Sequence, residues 1–252
     1  MSVPPIVRRY IPTTVFKLRD YWRYARARRH FKNLFREKPI GEAFAEIYRS
    51  KAWGGSPDEN FNSGEGSGSR FGEVYARFVN QFVAEKNLHH IVDLGCGDYR
   101  VGRLLHTSSD VRYTGVDVVA DLIRHHQEHF QSPYVDFRCA NIIDDELPDG
   151  DFCLIRQVLQ HLSNAQIAKV LATARSKYRY LLITEGLYVG PKSRPNLDKP
   201  AGWDTREYDR SGVFLELPPF SLPVETVLEM PLADNSVLRT MLLERAHAAA
   251  AR

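Results

Sequence analysis

The chain has 252 residues, 43% of them hydrophobic and 26% charged, a balance that suits one globular α/β domain with a decorated terminus. A core of that size needs no disulfide or metal to hold it together. The cysteines, Cys96, Cys139 and Cys153, fall in or beside apolar strand patterns and lack metal-ligand spacing, so we expect reduced thiols and no metal site. The sequence shows no signal peptide and no membrane-spanning run, which predicts a cytoplasmic protein.

Residues 1–40 form a basic arm. They hold eleven Lys or Arg against two acids, a net charge of +9, which leaves −6 on the rest of the chain. Within the arm, four aromatic residues and one arginine recur at helical spacing: Tyr21, Tyr24, Arg28, Phe31 and Phe35. Three interpretations stay open: a solvated helix packed on the domain through its aromatic residues, a helix on the anionic inner face of a membrane, or a site for nucleic acid. Nucleic acid is the least favoured, because no RNA-binding motif accompanies the charge.

A loop rich in glycine and serine, residues 54–69, leads into an amphipathic helix. The helix is predicted by apolar residues at helical spacing, which are Phe71, Val74, Tyr75, Phe78, Val79, Phe82 and Val83. Strands and helices then alternate, which predicts a parallel sheet with helices on both faces. The predicted strands lie near 90–94, 112–117, 134–138, 151–155 and 180–184, and the predicted helices near 100–106, 121–130 and 164–177. The last helix begins with a capping box formed by Ser163 and Gln166.

The last part of the domain combines a long loop with a hairpin. Residues 186–212 are irregular and rich in proline, and they follow the carboxyl end of the fifth strand, where loops commonly form lids or substrate walls. Two further strands near 224–230 and 236–244 are separated by a turn, which predicts a terminal hairpin. We therefore predict a domain over residues 41–245 and a frayed tail over 246–252.

The strongest motif is a glycine-rich turn after the first predicted strand. Asp93 ends that strand, Gly95 and Gly97 follow, and Asp117 ends the next strand twenty positions after Gly97. Glycines allow a sharp turn and close approach of a ligand, and a carboxylate at the neighbouring strand end can accept hydrogen bonds from a ribose diol. Dinucleotide-binding enzymes share this outline, but their third glycine is replaced here by Arg100, and Asp93 would repel a pyrophosphate.

The acidic residue followed by Leu94-Gly95-Cys96-Gly97 resembles the first motif of the class I S-adenosylmethionine-dependent methyltransferases. That resemblance implies a Rossmann-like, doubly wound, mostly parallel seven-stranded sheet whose final strand runs antiparallel, and S-adenosylmethionine as cofactor. It also implies a cofactor site built from Asp93, Gly95, Cys96, Gly97, Asp117, Val118, Asn141, Ile142 and Arg156. The family usually has aspartate where Asn141 stands, contacting the adenine amine, and the asparagine oxygen can accept that bond. A plain turn at Asn141 is the alternative.

The residues after the fourth strand, Arg156 to Leu162, lie beside the methyl group in the resembled family. His161 is the candidate general base, since imidazole can take a proton near neutral pH. The alternative is that His161 orders the loop through a backbone hydrogen bond, because methyl transfer from a sulfonium needs positioning more than a dedicated base.

The segments at Trp53-Gly54-Gly55 and residues 63–67 are similar to a bacterial subset of this family, and the likeness extends over residues 45–240. A flexible loop of glycine and serine before the first domain helix can fold over the methionine moiety, with Ser67, Ser69 or Arg70 meeting its carboxylate; a plain linker is the alternative. The sequence therefore predicts methyl transfer to an oxygen or nitrogen of a small or membrane-proximal acceptor. The side chains of the lid admit a sugar or glycan, a phosphate-bearing lipid or an aromatic ring, and its bases favour an anionic acceptor. The alternative is a non-catalytic methyltransferase-like module tethered to a membrane or anionic partner by its basic arm.

Overall fold

The computed structural model describes residues 13–56, 59–64, 66 and 69–245, so the predicted frayed tail lies outside the described residues, as does the candidate ligand Ser67. The helices are α1 (Thr13–Glu37), α2 (Ile40–Arg49), α3 (Ser69–Lys86), α4 (Ala120–Phe130) and α5 (Asn164–Lys177). The strands are β1 (His90–Leu94), β2 (Arg112–Asp117), β3 (Val135–Cys139), β4 (Phe152–Arg156), β5 (Tyr180–Tyr188), β6 (Glu225–Pro231) and β7 (Ser236–Glu244). None of these helices has the length and apolar character needed to span a bilayer.

The strands form one seven-stranded sheet in the order β3-β2-β1-β4-β5-β7-β6. Strands β1 to β5 pair in parallel, and β7 runs antiparallel between β5 and β6. The strand order reverses between β1 and β4, and ligands bind at such a reversal, outside the carboxyl ends of the strands. The predicted doubly wound sheet with a C-terminal antiparallel hairpin is confirmed.

Apolar side chains cover both faces of the sheet, because successive strand residues point to opposite sides. On one face the buried residues of α5, such as Ile167 and Leu171, pack against Val92 and Ile155. On the other face, α3 and α4 pack against a cluster that includes Ile91. The predicted capping box holds α5 at its start, since the Ser163 hydroxyl accepts from the Gln166 amide and the Gln166 side chain accepts from the Ser163 amide.

Two helix predictions differ from the structure. The helix predicted near 100–106 is wrong: this stretch contains a single 3-10 turn, Gly102–Leu104, and Leu105 is already extended. The ring of Tyr99 packs so closely on Gly102 that a Cβ there would lie 2.4 Å from it, and the chain turns away instead of continuing a helix. The second difference is the helix α2, which the sequence analysis does not predict. Its buried residues Ala43 and Ile47 are four positions apart, as expected for one face of a helix.

The second half of α1 packs on the domain. Phe31 is 5% exposed and its ring centroid lies 5.4 Å from that of Trp203 in the predicted lid, while Phe35 and Phe44 of α2 meet edge to face at 4.9 Å. Arg28 adds ion pairs with Asp204 and Asp209. The described end of the basic arm is thus attached to the lid and to α2 by rings and charges.

Candidate active site

A cleft of about 1070 Å³, counting its space open to solvent, lies at the carboxyl ends of β1, β2, β3 and β4. The ten residues predicted for the cofactor and catalytic site line this one cleft: Asp93, Gly95, Cys96, Gly97, Asp117, Val118, Asn141, Ile142, Arg156 and His161. Arg70, a candidate for the methionine carboxylate, is exposed and is not among the lining residues. Residues from five strand and loop segments therefore converge on one volume.

The glycine turn after β1 is held by the backbone of β2. The amides of Gly95 and Cys96 both donate to the carbonyl of Val116, at 2.7 and 3.0 Å. Gly95 and Gly97 have φ of +82° and +54°, in the left-handed region that favours glycine. A Cβ on Gly95 would lie 2.3 Å from the Val158 side chain across the cleft, so glycine is required here by space as well as by conformation.

Asp117 lies at the end of β2 with both carboxylate oxygens fixed by backbone amides. Oδ2 accepts from the Gly97 amide at 3.1 Å, and Oδ1 accepts from the Val119 amide at 3.1 Å. Each oxygen keeps a second lone pair that can accept a hydroxyl proton. Burial raises the pKa of Asp117 to about 6, against the opposing effect of these amides, so the carboxylate is mostly ionised at pH 7.

Asp93 is the second buried carboxylate of the cleft. The Tyr113 hydroxyl donates to its Oδ2 at 2.7 Å, and burial raises the pKa of Asp93 to about 6. The guanidinium of Arg156 acts in the opposite direction on this pKa. A pair of buried carboxylates makes this end of the cleft favourable for a cation and unfavourable for a pyrophosphate.

Arg156 links the end of β4 to the glycine and serine loop. Its Nη2 donates to the carbonyl of Gly66 at 2.6 Å, and its guanidinium carbon lies 5.2 Å from the centre of the Tyr75 ring. Burial lowers the pKa of Arg156 from its usual value, against the nearby Tyr75 and Asp93. The guanidinium is therefore held in place by a carbonyl and a ring.

The segment around Ser63 is fastened to the glycine turn. The Ser63 amide donates to Asp98 Oδ2 at 2.7 Å, and the Asp98 amide donates to Ser63 Oγ at 2.8 Å. The Tyr48 hydroxyl lies 3.0 Å from the same Ser63 oxygen. On the opposite side of the turn, the buried His126 donates from Nε2 to the carbonyl of Gly97 at 2.7 Å. The turn is thus supported by α2, α4 and the loop together.

Asn141 lies in the cleft after β3, with its side chain used in a local turn. Its Oδ1 accepts from the Ile143 amide at 3.1 Å and its Nδ2 donates to Asp144 at 3.0 Å. This arrangement matches the alternative of a turn-forming asparagine, and a contact of Asn141 with adenine stays a prediction. Val118 and Ile142 are apolar walls beside it, well suited to a flat ring.

His161 forms part of the opposite end of the cleft. Its Nδ1 lies 3.1 Å from the carbonyl of Gly202, which can only accept, so Nδ1 carries the proton. Nε2 has a lone pair, which faces the side-chain amide nitrogen of Gln160 at the long distance of 3.5 Å. Its ring centroid lies 5.2 Å from that of Trp53 and 6.1 Å from that of Phe44. Burial and the charge of Lys199 lower the pKa of His161 to about 3, so the ring is neutral and is a weak base.

Glu185, which sequence reasoning missed, positions the turn that carries His161. The carboxylate is fully buried in β5 and accepts from the amides of Val158, Leu159 and Gln160 at 3.1, 2.8 and 3.1 Å. Burial raises the pKa of Glu185 to about 8, opposed by these amides. The only sequence signal was an acid inside an otherwise apolar strand, since such a residue needs several partners when buried.

Sequence reasoning also missed the aromatic wall contributed by α2. Phe44 and Tyr48 line the cleft together with Trp53, and the Trp53 indole donates to the carbonyl of Trp203 at 3.0 Å. The spacing of Phe44 and Tyr48, four apart on one helix face, was the available signal. The wall encloses the end of the cleft near His161 with neutral, mostly apolar groups.

A family model described as a methyltransferase domain matches residues 91–179, which include β1 to β4 and α5. Over these residues the chain is therefore similar to methyltransferase domains. No relative was found among curated protein sequences. The cofactor fits the residues present, because a turn too narrow for a Cβ, an ionised carboxylate aimed by two amides and apolar walls line one cleft.

Solved structures share the fold. Magnesium protoporphyrin IX methyltransferase from Synechocystis PCC 6803, with bound S-adenosylhomocysteine, superposes with a TM-score of 0.52 at 13% identity, over 81% of this chain and 97% of that one. The N-terminal domain of EvdMO1, studied with S-adenosylhomocysteine and D-fucose, gives 0.51 at 16% identity over 81% and 97%. The N-methyltransferase NodS from Bradyrhizobium japonicum WM9 gives 0.50 at 13% identity over 70% and 88%. Their names describe different reactions, so the fold leaves the acceptor open.

Proposed function

We propose that this protein transfers a methyl group from S-adenosylmethionine to an oxygen or nitrogen atom of a small acceptor. The observation that carries the proposal is the Asp117 carboxylate, which two amides aim into a cleft whose far end is closed by neutral rings around His161. When bound, the cofactor supplies a methyl group on a positively charged sulfur, which passes to a lone pair of the acceptor.

The cofactor end of the cleft would hold three parts of the ligand. Asp117 accepts the ribose hydroxyls, Val118 and Ile142 sandwich or border the adenine, and Asp93 lies where a cationic group is favoured. Gly95 and Gly97 let the backbone approach these groups closely. The negative charges of Asp93 and Asp117 disfavour a pyrophosphate cofactor at the same place.

The acceptor end of the cleft is formed by Phe44, Trp53 and His161. The aromatic rings exclude water and restrict the acceptor's orientation, which favours in-line attack. The Nε2 lone pair of His161 can accept a hydrogen bond from the acceptor's hydroxyl or amine and so orient the attacking atom. A pKa of about 3 makes this an orienting bond, and the proton passes to water as the new bond forms.

Calorimetry with S-adenosylhomocysteine tests the cofactor site. We expect binding by the native protein and a loss of about a hundredfold in the Asp117→Ala variant, because two charge-assisted bonds and the partners of two amides are removed. The matched control is Asp121→Ala, an exposed acid at the start of α4. Absence of binding by the native protein would sink the proposal, and an unchanged affinity of Asp117→Ala would sink the ribose assignment.

Methyl transfer from labelled cofactor into fractionated cell extract tests the acceptor end. In the His161→Asn variant the side-chain amide can still donate to the Gly202 carbonyl, but the Nε2 lone pair is lost. We expect incorporation to fall about tenfold or more while cofactor affinity stays unchanged. Full incorporation by the variant would leave His161 with only its loop-ordering role.

The basic arm supports a second candidate, peripheral contact with an anionic membrane on the cytoplasmic side. Its net charge of +9 over residues 1–40 and the long helix α1 favour it. Sedimentation with anionic vesicles, compared between the full chain and a chain lacking residues 1–24, tests it; equal sedimentation of the two would argue against the contact. A tethered module without catalysis would sediment in this way and show no methyl transfer.

A further inference from the structure

A second groove lies between α1 and the lid, on the far side of the segment Gly202–Trp203 from the active-site cleft. Its lining combines bases of one helix face with residues of the lid: Ala25, Arg28, Arg29, Lys32, Asn33, Arg36, Lys199, Pro200, Ala201, Gly202, Trp203 and Asp204. Five bases and one acid line it, in a chain whose remaining charge outside the arm is negative.

Two of these bases are already neutralised. Lys199 and Asp204 form a buried ion pair at 2.9 Å, and Arg28 reaches Asp204 at 3.0 Å and Asp209 at 3.1 Å. These pairs attach α1 to the lid and so shape the groove. They leave little charge for a ligand.

The charge offered to a ligand comes from the exposed rim of α1. Arg29, Lys32 and Arg36 follow one another at spacings of three and four, so their side chains are neighbours on one helix face. Arg36 lies 3.3 Å from the exposed Glu37. Arg29 and Lys32 have no carboxylate within ion-pair distance among the described residues. Neighbouring guanidinium and ammonium groups of this kind suit the oxygens of a phosphate.

Only one stretch of chain separates this groove from the acceptor end of the cleft. The Gly202 carbonyl accepts from His161 Nδ1, the Gly202 amide donates to the His161 carbonyl at 2.9 Å, and the Trp203 carbonyl accepts from the Trp53 indole. On the groove side, the ring of Trp203 packs on Phe31. A molecule that follows the edge of this wall would therefore contact both the rim of α1 and the rings around His161.

The acceptor end of the cleft is lined by neutral groups among the described residues. Phe44, Trp53 and His161 carry no charge, and the guanidinium of Arg156 lies against the carbonyl of Gly66 and the ring of Tyr75. An anionic acceptor would need its charge met outside the cleft. The groove beside α1 provides this.

We propose that the groove between α1 and the lid binds a phosphate or pyrophosphate group of the acceptor, with Arg29 and Lys32 as its main ligands. The inference rests on the proposed methyl transfer and names the class of acceptor: a phosphate-bearing molecule whose uncharged part enters the cleft beside His161. The phosphate belongs either to a free small molecule or to a lipid headgroup.

Calorimetry of the full chain with inorganic pyrophosphate tests the groove directly. We expect binding that weakens with salt, and a loss of about tenfold or more in the double variant Arg29→Gln/Lys32→Gln. The matched control is Arg26→Gln/Arg77→Gln, which removes the same charge from exposed positions outside the groove. Equal affinity of the groove variant and the native protein, or no pyrophosphate binding at all, overturns the proposal.

Two further experiments distinguish a free small molecule from a lipid headgroup as the source of the phosphate. They also distinguish failure of the groove proposal from failure of the proposed methyl transfer. Binding to vesicles of anionic phospholipid without any binding of pyrophosphate would identify a membrane surface and overturn the phosphate site. Binding of both would assign the phosphate to a lipid headgroup. Treating cell extract with phosphatase before incubation with labelled cofactor should abolish incorporation; unchanged incorporation overturns the acceptor class. Binding of S-adenosylhomocysteine, measured in every variant, reports the proposed function separately, because it involves none of the groove residues.

Discussion

The two ends of the active-site cleft are stabilised in different ways. At the cofactor end, backbone amides and carbonyls of adjacent strand ends hold the turn and Asp117, within about thirty residues of sequence. At the acceptor end, side chains from distant segments meet: the Trp53 indole donates to the Trp203 carbonyl across 150 residues, and Arg28 reaches Asp209 across 181. The first end depends on the parallel sheet, and the second depends on a set of buried polar contacts.

That difference bears on function. A site made of strand ends and amides can be kept while its surroundings change, because the sheet positions it. A site made of long-range contacts between loops and an added helix can take a new shape with a few substitutions. We therefore expect the fold to determine which cofactor binds, and α1, α2 and the lid to determine which acceptor binds.

The largest effect is expected at the glycine turn. In Gly95→Ala the new Cβ would meet Val158 at 2.3 Å and the residue would be strained at a φ of +82°. We predict a loss of cofactor affinity of about a hundredfold, measured by calorimetry. Gly54→Ala is the control for strain alone, since Gly54 has a φ of +94° and nothing within 4 Å of a Cβ. Similar losses in both variants would contradict the steric argument.

Removing the carboxylate of Glu185 should affect the acceptor end and spare the cofactor end. Above the Glu185 pKa of about 8 the carboxylate offers both oxygens, whereas in Glu185→Gln a single amide oxygen remains for three backbone donors. We therefore predict a loss of about 2 kcal/mol in the free energy of unfolding by urea when the solution is alkaline enough to ionise Glu185. Glu225→Gln, at an exposed position of β6, should leave stability unchanged. If Glu185→Gln weakened cofactor binding as much as it weakened folding, the two ends would not be independent.

Acid should weaken the cofactor end. The pKa of Asp93 and that of Asp117 are both raised to about 6, so both groups are ionised above that pH and take up protons below it. Calorimetry with S-adenosylhomocysteine should show constant affinity above pH 7 and a fall of about tenfold per pH unit below 6 for each proton bound.

The same shifts act on folding with the opposite sign. Since the folded pKa of each carboxyl exceeds its usual value near 3.8, folding takes up protons between pH 4 and 6, and these two groups add stability as the pH falls. Loss of affinity near pH 5.5 without loss of the folded signal in circular dichroism would agree with this. An affinity that stayed constant down to pH 5 would contradict the role of the carboxylates.

The smallest effect is expected at the attachment of α1. Arg28→Gln removes the ion pairs with Asp204 and Asp209, and because the Arg28 side chain is 40% exposed, we predict a loss of only about 1 kcal/mol. Limited proteolysis within α1 should become faster, while Arg26→Gln, an exposed neighbour, should behave as the native protein. Unchanged proteolysis of Arg28→Gln would mean that the rings of Phe31 and Phe35 alone hold the helix.

Local signals predicted the fold and the cofactor end. Strand periodicity predicted most ends of the five parallel strands to within about one residue. The glycine turn with Asp93 and Asp117 located the cleft. The strand β5 continues four residues beyond its predicted end because β7 pairs with it as far as Tyr188. Pairing of that kind depends on partners 48 to 54 residues away, which no local pattern reveals.

The acceptor end was predictable only in part. His161 was found from its position after β4, but Glu185 and the ion pair of Lys199 with Asp204 are separate polar residues until the fold brings their partners to them. Arg206 is similar: it is 1% exposed and donates to the carbonyls of Leu197 and Leu162. The sequence of a loop does not indicate that one of its arginines has this role. The basic arm was recognised by charge, whereas the face it presents to the lid was visible only in the structure.

The segment around Ser63 contacts two sides of the cleft. It runs from Asp98, beside the glycine turn, to Arg156 at the end of β4, and so forms a strap between them. Among the contacts of the described residues, two hydrogen bonds between Ser63 and Asp98, one between Ser63 and Tyr48 and one from Arg156 to Gly66 hold it. At about 1 kcal/mol net for each bond, the strap would be detached in roughly one molecule in a thousand. We expect a ligand of the cleft to exchange through this minor population.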